Sequence, residues 1–444
     1  MTLYKKAGVI LGLLFGISAC AQLEAPSVEA DDFVRVDGTR FVLEGEPYYF
    51  VGTNFWYGAY LGSPGPEGDR ERLLKELDTL KASGITNLRV LAASESSELM
   101  RAVQPALIRE PGEYNDNLLE GLDFLLAAMG KRDMKAVLYL NNFWQWSGGM
   151  SQYVAWFTGE EVLDPDKTGE WNAFMENSAR FYRMEEAQAL YRDVIETIIT
   201  RRNSVTGQYY YEDPTVMSWQ LANEPRPGSD EHGRPYFQDF KQWVHETARY
   251  IDSLAPHQLV STGNEGAMGT LRDEDLYIIA HASPYVDYLT FHMWLKNWSW
   301  FDIHNPEETY DSAIEKAQAY MNRHIDIANK MNKPTVLSEF GAERDEGAFE
   351  PGTPTTYRDR IYREVFDLVY ERAAEGDAIA GTNFWTWGGL GRAGQEDFMW
   401  AQGDDFTGDP PQEHQGLNSV FDADDSTMKI IRKHAEKMHQ LSNH

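Results

Sequence analysis

Two glutamates in this chain stand where apolar runs end. The first lies in Trp219-Gln220-Leu221-Ala222-Asn223-Glu224-Pro225, the second in Pro334-Thr335-Val336-Leu337-Ser338-Glu339-Phe340-Gly341. Pro225 stops further strand pairing, so Asn223-Glu224 falls at a strand's end. A bare Asn-Glu-Pro is more often an inert loop. Two carboxyls carried to equivalent depth by two apolar strands can do more: one protonates a leaving group while the other attacks or activates water. The remaining runs end in Asn54-Phe55-Trp56-Tyr57, in Arg89, and in Asn141-Asn142 with Trp144 and Trp146. Further along come Asn264-Glu265, His292 with Trp294, and Trp385 with Trp387. Carboxylates, amides that bind hydroxyls and indole faces that stack on pyranose rings together describe a sugar site.

Other candidates carry less. Glu95 and Glu265 also lie near strand ends, but Ser94-Glu95-Ser96 and Asn264-Glu265-Gly266 read as substrate-binding loops rather than a catalytic pair. His292 taken alone could be a core histidine; a place at a strand end favours the site. The histidines show no His-x-x-x-His or cysteine spacing, so no catalytic metal and no cofactor is expected. Tyr153 and Trp156 in the insertion after the third run, and Trp298 and Trp300 after the sixth, would be further sugar platforms or simply packing.

Such residues need a frame that brings many strand ends to one rim. Residues 49–53, 87–91, 135–140, 216–221, 258–262, 288–291, 335–338 and 379–384 are short β-rich runs. Amphipathic stretches near 69–83, 118–131, 184–202, 236–254, 311–331, 357–374 and 426–440 separate them. Eight parallel strands with helical crossovers predict an α/β chain closed as a (β/α)8 TIM barrel with extended loops, its reactive groups at the C-terminal strand ends. An open doubly wound sheet would carry a glycine-rich phosphate loop after its first strand. Here Val51-Gly52-Thr53-Asn54 leads into aromatics instead. Residues 33–49 read as a β-hairpin turning at Asp37-Gly38. No repeat or low-complexity linker marks a second unit, so residues 33–444 are read as one catalytic domain. Barrels often run that long.

The pattern resembles glycoside hydrolase family 5, in the clan whose catalytic glutamates sit on strands 4 and 7, and the likeness runs from about Phe33 to His444. The resemblance implies that Glu224, after Asn223, is the acid/base and Glu339 the nucleophile. It matches Arg89 to the family's strand-2 arginine, His292 to its strand-6 histidine and Trp385 to the floor of the cleaved sugar's subsite. Gly52-Thr53-Asn54-Phe55-Trp56-Tyr57, Phe291-His292-Met293-Trp294 and Gly403-Asp404-Asp405-Phe406-Thr407-Gly408-Asp409-Pro410-Pro411, followed by Gln415-Gly416-Leu417, look most like the bacterial β-mannanase subfamily. A retaining endo-β-1,4-mannanase acting on mannan, glucomannan or galactomannan is therefore expected. An exo-acting β-mannosidase or mannobiohydrolase, a β-1,4-glucanase and a non-catalytic glycan-binding lipoprotein are the alternatives. One departure is Trp294, where many members have a tyrosine whose hydroxyl bonds the nucleophile; an indole can only donate. In this scheme Arg89 is the charge partner of Glu339, Asn223 bonds the sugar's 2-hydroxyl, and Glu224 is kept protonated by burial and nearby negative charge. Asn54, Trp56, Trp144 and Glu265 are expected to bind substrate or support the pair.

Composition sets the surroundings. A net charge of −30 across 444 residues repels phosphate backbones, so nucleic acid is not an expected partner and a neutral glycan is. Residues 1–20 read as a signal: Lys5-Lys6, an apolar stretch over 7–15 too short to span a bilayer, then Gly16-Ile17-Ser18-Ala19-Cys20. The only cysteine in the chain falls at the cut site, as in a bacterial lipoprotein. The expectation is an exported monomer, lipid-anchored through Cys20 in the periplasm or at the outer membrane or cell surface, and secreted if Cys20 is not acylated. Residues 21–32 read as a flexible tether.

Overall fold

The computed structural model describes residues 30–442; the residues read as a leader, Cys20 and most of those read as a tether lie outside the described residues. Ala30–Asp32, assigned to the tether from sequence, forms a single 3-10 turn. Eight parallel strands follow: β1 (Phe50–Asn54), β2 (Ile85–Leu91), β3 (Lys135–Tyr139), β4 (Val216–Gln220), β5 (Leu259–Ser261), β6 (Leu289–Met293), β7 (Thr335–Phe340) and β8 (Ile379–Phe384). Nearly every residue in them is buried, because a parallel sheet covered by helices has no solvated face. The sheet runs in order β5-β4-β3-β2-β1-β8-β7-β6. Its open edge between β5 and β6 is bridged by two backbone hydrogen bonds, Asp287 N to Val260 O at 2.8 Å and His292 N to Glu265 O at 3.0 Å. The result is a barrel with one loosely laddered seam.

The main outer helices are α1 (Arg70–Ala82), α2 (Asp116–Gly130), α3 (Glu185–Ile199), α4 (Phe237–Leu254), α5 (Glu274–Ala280), α6 (Pro306–Met331), α7 (Thr356–Ala374) and α8 (Asp425–Leu441). Their starts are written in side chains: Asp69 caps α1 by accepting from Arg72 N at 2.9 Å, and Asp273 caps α5 through Leu276 N at 3.1 Å. Pro306 opens α6 at a position where no backbone donor is missed.

The N-terminal hairpin is a three-stranded sheet of Arg35–Asp37, Arg40–Leu43 and Glu46–Pro47. Val34 and Phe41 pack with Phe50, Met217, Leu259 and Val336, near the N-terminal ends of the barrel strands. The hairpin thus plugs the bottom of the barrel, each buried Val or Phe contributing about 1.5–3 kcal/mol. The top is left for loops. The longest, after β3, folds into helices Gly149–Thr158 and Trp171–Ala179. Inside, Gly52 is indispensable: a Cβ there would lie 2.2 Å from Asn383 Nδ2 and 2.4 Å from Asn87 O. No helix among the described residues is long and apolar enough to cross a membrane.

Candidate active site

Arg89, from β2, is fully buried beneath the site. Its guanidinium bonds Glu339 Oε1, Gln220 Oε1 at 2.7 Å, Asn223 Oδ1 at 2.8 Å and Asn54 Oδ1 at 3.1 Å. A buried charge costs several kcal/mol unless so satisfied. Asn54 spends its amide on Ser338 O at 2.9 Å, so it braces β1 against β7 without reaching the cavity. Asn223 faces the cavity, but its oxygen is held by Arg89 and its amide donates to Asn142 Oδ1 at 3.2 Å. Its part is first to lock the rim of β3 and β4.

Glu224 and Glu339 meet around His292. The Nδ1 of His292 lies 2.5 Å from Glu224 Oε1 and 3.2 Å from Glu339 Oε2. A register shift in the β6–β7 ladder between Phe291 and His292 sets His292 beside Glu339. Such irregularities re-aim side chains next to reaction centres. The second oxygen of Glu224 accepts from Trp144 Nε1 at 2.5 Å. Glu224 itself has φ of +48°, a left-handed conformation that costs a side-chain residue energy and recurs at functional sites. Its backbone N–H, tied to Gly263 O at 2.9 Å, holds it there. One oxygen of each glutamate and one ring nitrogen of His292 lie within 4.8 Å of one another.

The electrostatics depart from the sequence expectation. Burial alone would push Glu224 up, but the hydrogen bond and charge of His292, with the Trp144 donor, leave it below the ordinary carboxylate range. Burial opposes charge on His292 too; the charge of Glu339 and the contact with Glu224 outweigh it and raise it to about 9. In the free protein the shared proton therefore sits on His292 rather than on Glu224. Burial and the charge of Glu224 push Glu265 up to about 8, with Arg226 opposing.

These groups open into a cavity of about 660 Å³ on the C-terminal face. Trp385 lines it and meets Trp294 edge-on at 5.9 Å. Trp294 donates nothing to Glu339, which Arg89 and His292 position instead. Trp144 packs against Trp171 and Phe174 and forms one wall with Trp146. Trp56 stays behind that wall, donating to Gly408 O at 2.5 Å and packing on Trp146 at 5.3 Å. Glu265 lines the cavity with its Oε2 paired to Arg226 at 3.7 Å and accepting no hydrogen bond. Arg226, Lys296, Gln412 and Glu413, which the sequence did not single out, also line it, as does Leu417 of the segment Gln415-Gly416-Leu417. Gln412, Glu413 and Leu417 ride the loop after β8. That loop is pinned by buried Arg358, which donates to Ala342 O, Ser419 O and Leu417 O, and by Asp409, which accepts from Gly416 N and Asn418 N.

An eight-stranded barrel presenting two buried, charge-coupled glutamates from strands 4 and 7 in a tryptophan-lined cavity is the framework of a glycoside hydrolase. The profile of GH family 5 β-mannosidase-like proteins matches residues 31–443, and the chain belongs to that family. It is 30% identical over 375 residues to mannan endo-1,4-beta-mannosidase 1 of Oryza sativa subsp. japonica, covering 80% of this chain and 78% of the rice protein. The glycoside hydrolase family 5 mannosidase of Rhizomucor miehei superposes with a TM-score of 0.85 at 35% identity, over 94% of this chain and 99% of that one. A mutant of that enzyme in complex with mannosyl-fructose matches equally well, with a TM-score of 0.85. The endo-1,4-beta-mannanase of the same fungus, at 22% identity and a TM-score of 0.66, shares the fold.

Proposed function

We propose that the protein is a retaining endo-β-1,4-mannanase that cuts mannan, glucomannan or galactomannan by double displacement. The observation that carries this is the spacing of the glutamates: oxygens within 4.8 Å suit the about 5–5.5 Å carboxyl separation of retaining enzymes, not the about 6.5–9.5 Å that admits a water in inverting ones. The names of the rice and Rhizomucor relatives supply the sugar. In the first step Glu339 attacks the anomeric carbon while Glu224 protonates the departing oxygen. In the second, Glu224 takes a proton from water, which displaces Glu339. His292 holds the proton that Glu224 must carry, and a sugar entering between the three groups would shift it onto the carboxylate. No metal or cofactor is needed for either step.

An exo-acting reading is favoured by one observation: the pinned loop after β8 brings Gln412, Glu413 and Leu417 to the cavity wall, where they could close one end. Product analysis on mannan, glucomannan and cellulose decides. A ladder of oligosaccharides with rapid loss of viscosity supports endo cleavage; mannose or mannobiose as the sole early product supports exo action; products from cellulose alone would overturn the mannan assignment.

His292 gives a pH prediction. Its raised value in the folded protein means that its charge stabilises the site fully below its ordinary pKa of about 6.5, and that this stabilisation is lost as pH rises through about 9. The alkaline limb of kcat/KM is expected near pH 9. His292→Asn should move it toward the acid side, since Glu224 must then hold the proton alone. An unmoved limb would remove His292 from the proton inventory.

The cellular setting proposed is a bacterial monomer anchored through Cys20, supported by Lys5-Lys6, the apolar stretch and the small residues before Cys20. Cys20→Ser is expected to release the enzyme from membranes with activity intact; fractionation with membranes as before would place the anchor elsewhere.

A further inference from the structure

A second cavity of about 470 Å³ opens on the same face of the barrel as the catalytic one. It is built by the connections after β1, β2 and β8, and the two cavities share no lining residue. Its apolar side is formed by Trp400, Phe406, Leu61 and Pro105. Trp400 is 8% exposed, and its indole N–H is buried with no hydrogen-bond partner. Buried donors in native folds are almost always satisfied, so this one leaves the apolar wall short of a partner. The polar side is equally open: the side chains of Gln104, Arg109, Asn117 and Gln402 form no hydrogen bond or ion pair with any described residue.

Charge narrows the ligand. Glu67, Asp69, Asp404 and Asp405 line the cavity against two cations, and one of these, Arg72, is spent on Glu76 and on the carbonyl of Phe406. Polyanions are disfavoured there. A neutral molecule rich in hydroxyl donors, with an apolar face for an indole, fits. A file of rings links the two cavities: Trp400 on Phe406 at 5.7 Å, Phe406 on Trp56 at 5.5 Å, and Trp56 on Trp146 at 5.3 Å. Trp146 lines the catalytic cavity. We infer that the second cavity is an accessory binding site for the polysaccharide whose cleavage is proposed above, holding a stretch of chain outside the reacting segment. The inference rests on that reading and names a second place where the same substrate binds.

The test uses the Glu339→Ala protein, which retains glycan without cutting it. Its migration is measured in native gels containing soluble glucomannan, with Trp400→Ala or the paired change Arg109→Ala and Gln402→Ala added. The paired residues are exposed, so that variant keeps the test decisive if the tryptophan change impairs folding. Each is expected to weaken glucomannan retention about tenfold, which corresponds to about 1.4 kcal/mol. With Glu339 restored, hydrolysis of an aryl β-mannoside should stay within about twofold of the parent, because that substrate never reaches the second cavity. Unchanged retention in both variants would overturn the proposal. So would an equal loss on the aryl mannoside, which would make the cavity part of the catalytic site. If the protein instead cuts another β-glycan, the mannan reading fails, and the same comparison on that glycan upholds or overturns the accessory site.

Discussion

Glu339→Ala is expected to abolish turnover on mannan, with activity falling by about 10⁴-fold or more, since it removes the covalent step and leaves only binding and electrostatics. The fold should survive, though weakened. Removing one partner of a buried ion pair costs about 3–5 kcal/mol, a large share of the about 5–15 kcal/mol that holds a domain together. Arg89 softens that loss because Gln220, Asn223 and Asn54 still accept its hydrogen bonds and Tyr139 lies 4.6 Å beneath it. Glu339→Gln, which keeps an acceptor for Arg89, is the control: it should melt closer to the parent and be nearly as inactive. A purified Glu339→Ala protein with more than a few per cent of parental activity would show that Glu339 is not the nucleophile.

The barrel was legible because parallel strands buried on both faces read as continuous apolar runs, and seven of the eight helices were long enough to show a period. Where sequence fell short, the causes are local. Helix α5 is seven residues, too short for a periodic signal, and α6 begins at Pro306, five residues earlier than its apolar stripe. The hairpin gained a third strand because Glu44 and Gly45, with φ of +53° and +86°, make a second turn. In the site, Glu224, Glu339, Arg89 and His292 could be placed because each stands at or near the end of a regular strand. Glu413 and Gln412 could not: they reach the cavity on an irregular loop held by Arg358 and Asp409, whose contacts join residues far apart in the chain or off any regular strand. The protonation of Glu224 departs from the sequence expectation for a related reason. Burial was foreseeable from sequence, but His292 at 2.5 Å is a matter of register, set by the shift in the β6–β7 ladder.

Glu224→Ala separates the acid from the nucleophile. Hydrolysis of mannan, whose sugar leaving group needs a proton, should fall about 10³-fold, within the range general acid catalysis supplies. An aryl β-mannoside with a good leaving group needs no such help, so its first step should stay within about tenfold of the parent. The second step then stalls, because no base activates water. A burst of aryl alcohol should therefore precede slow turnover. Azide, which needs no base, should restore turnover, and the cavity opened by losing the Glu224 side chain beside Trp144 and His292 gives it room. The mannosyl azide formed should have the β configuration, because two displacements at Glu339 return the original stereochemistry. An α product would mean a single displacement and an inverting enzyme. Equal loss on both substrates, with no burst and no azide rescue, would move the acid/base role to another carboxylate. Glu265 would be tested first, since it lines the same cavity with one oxygen that accepts no hydrogen bond and its proton held to about pH 8.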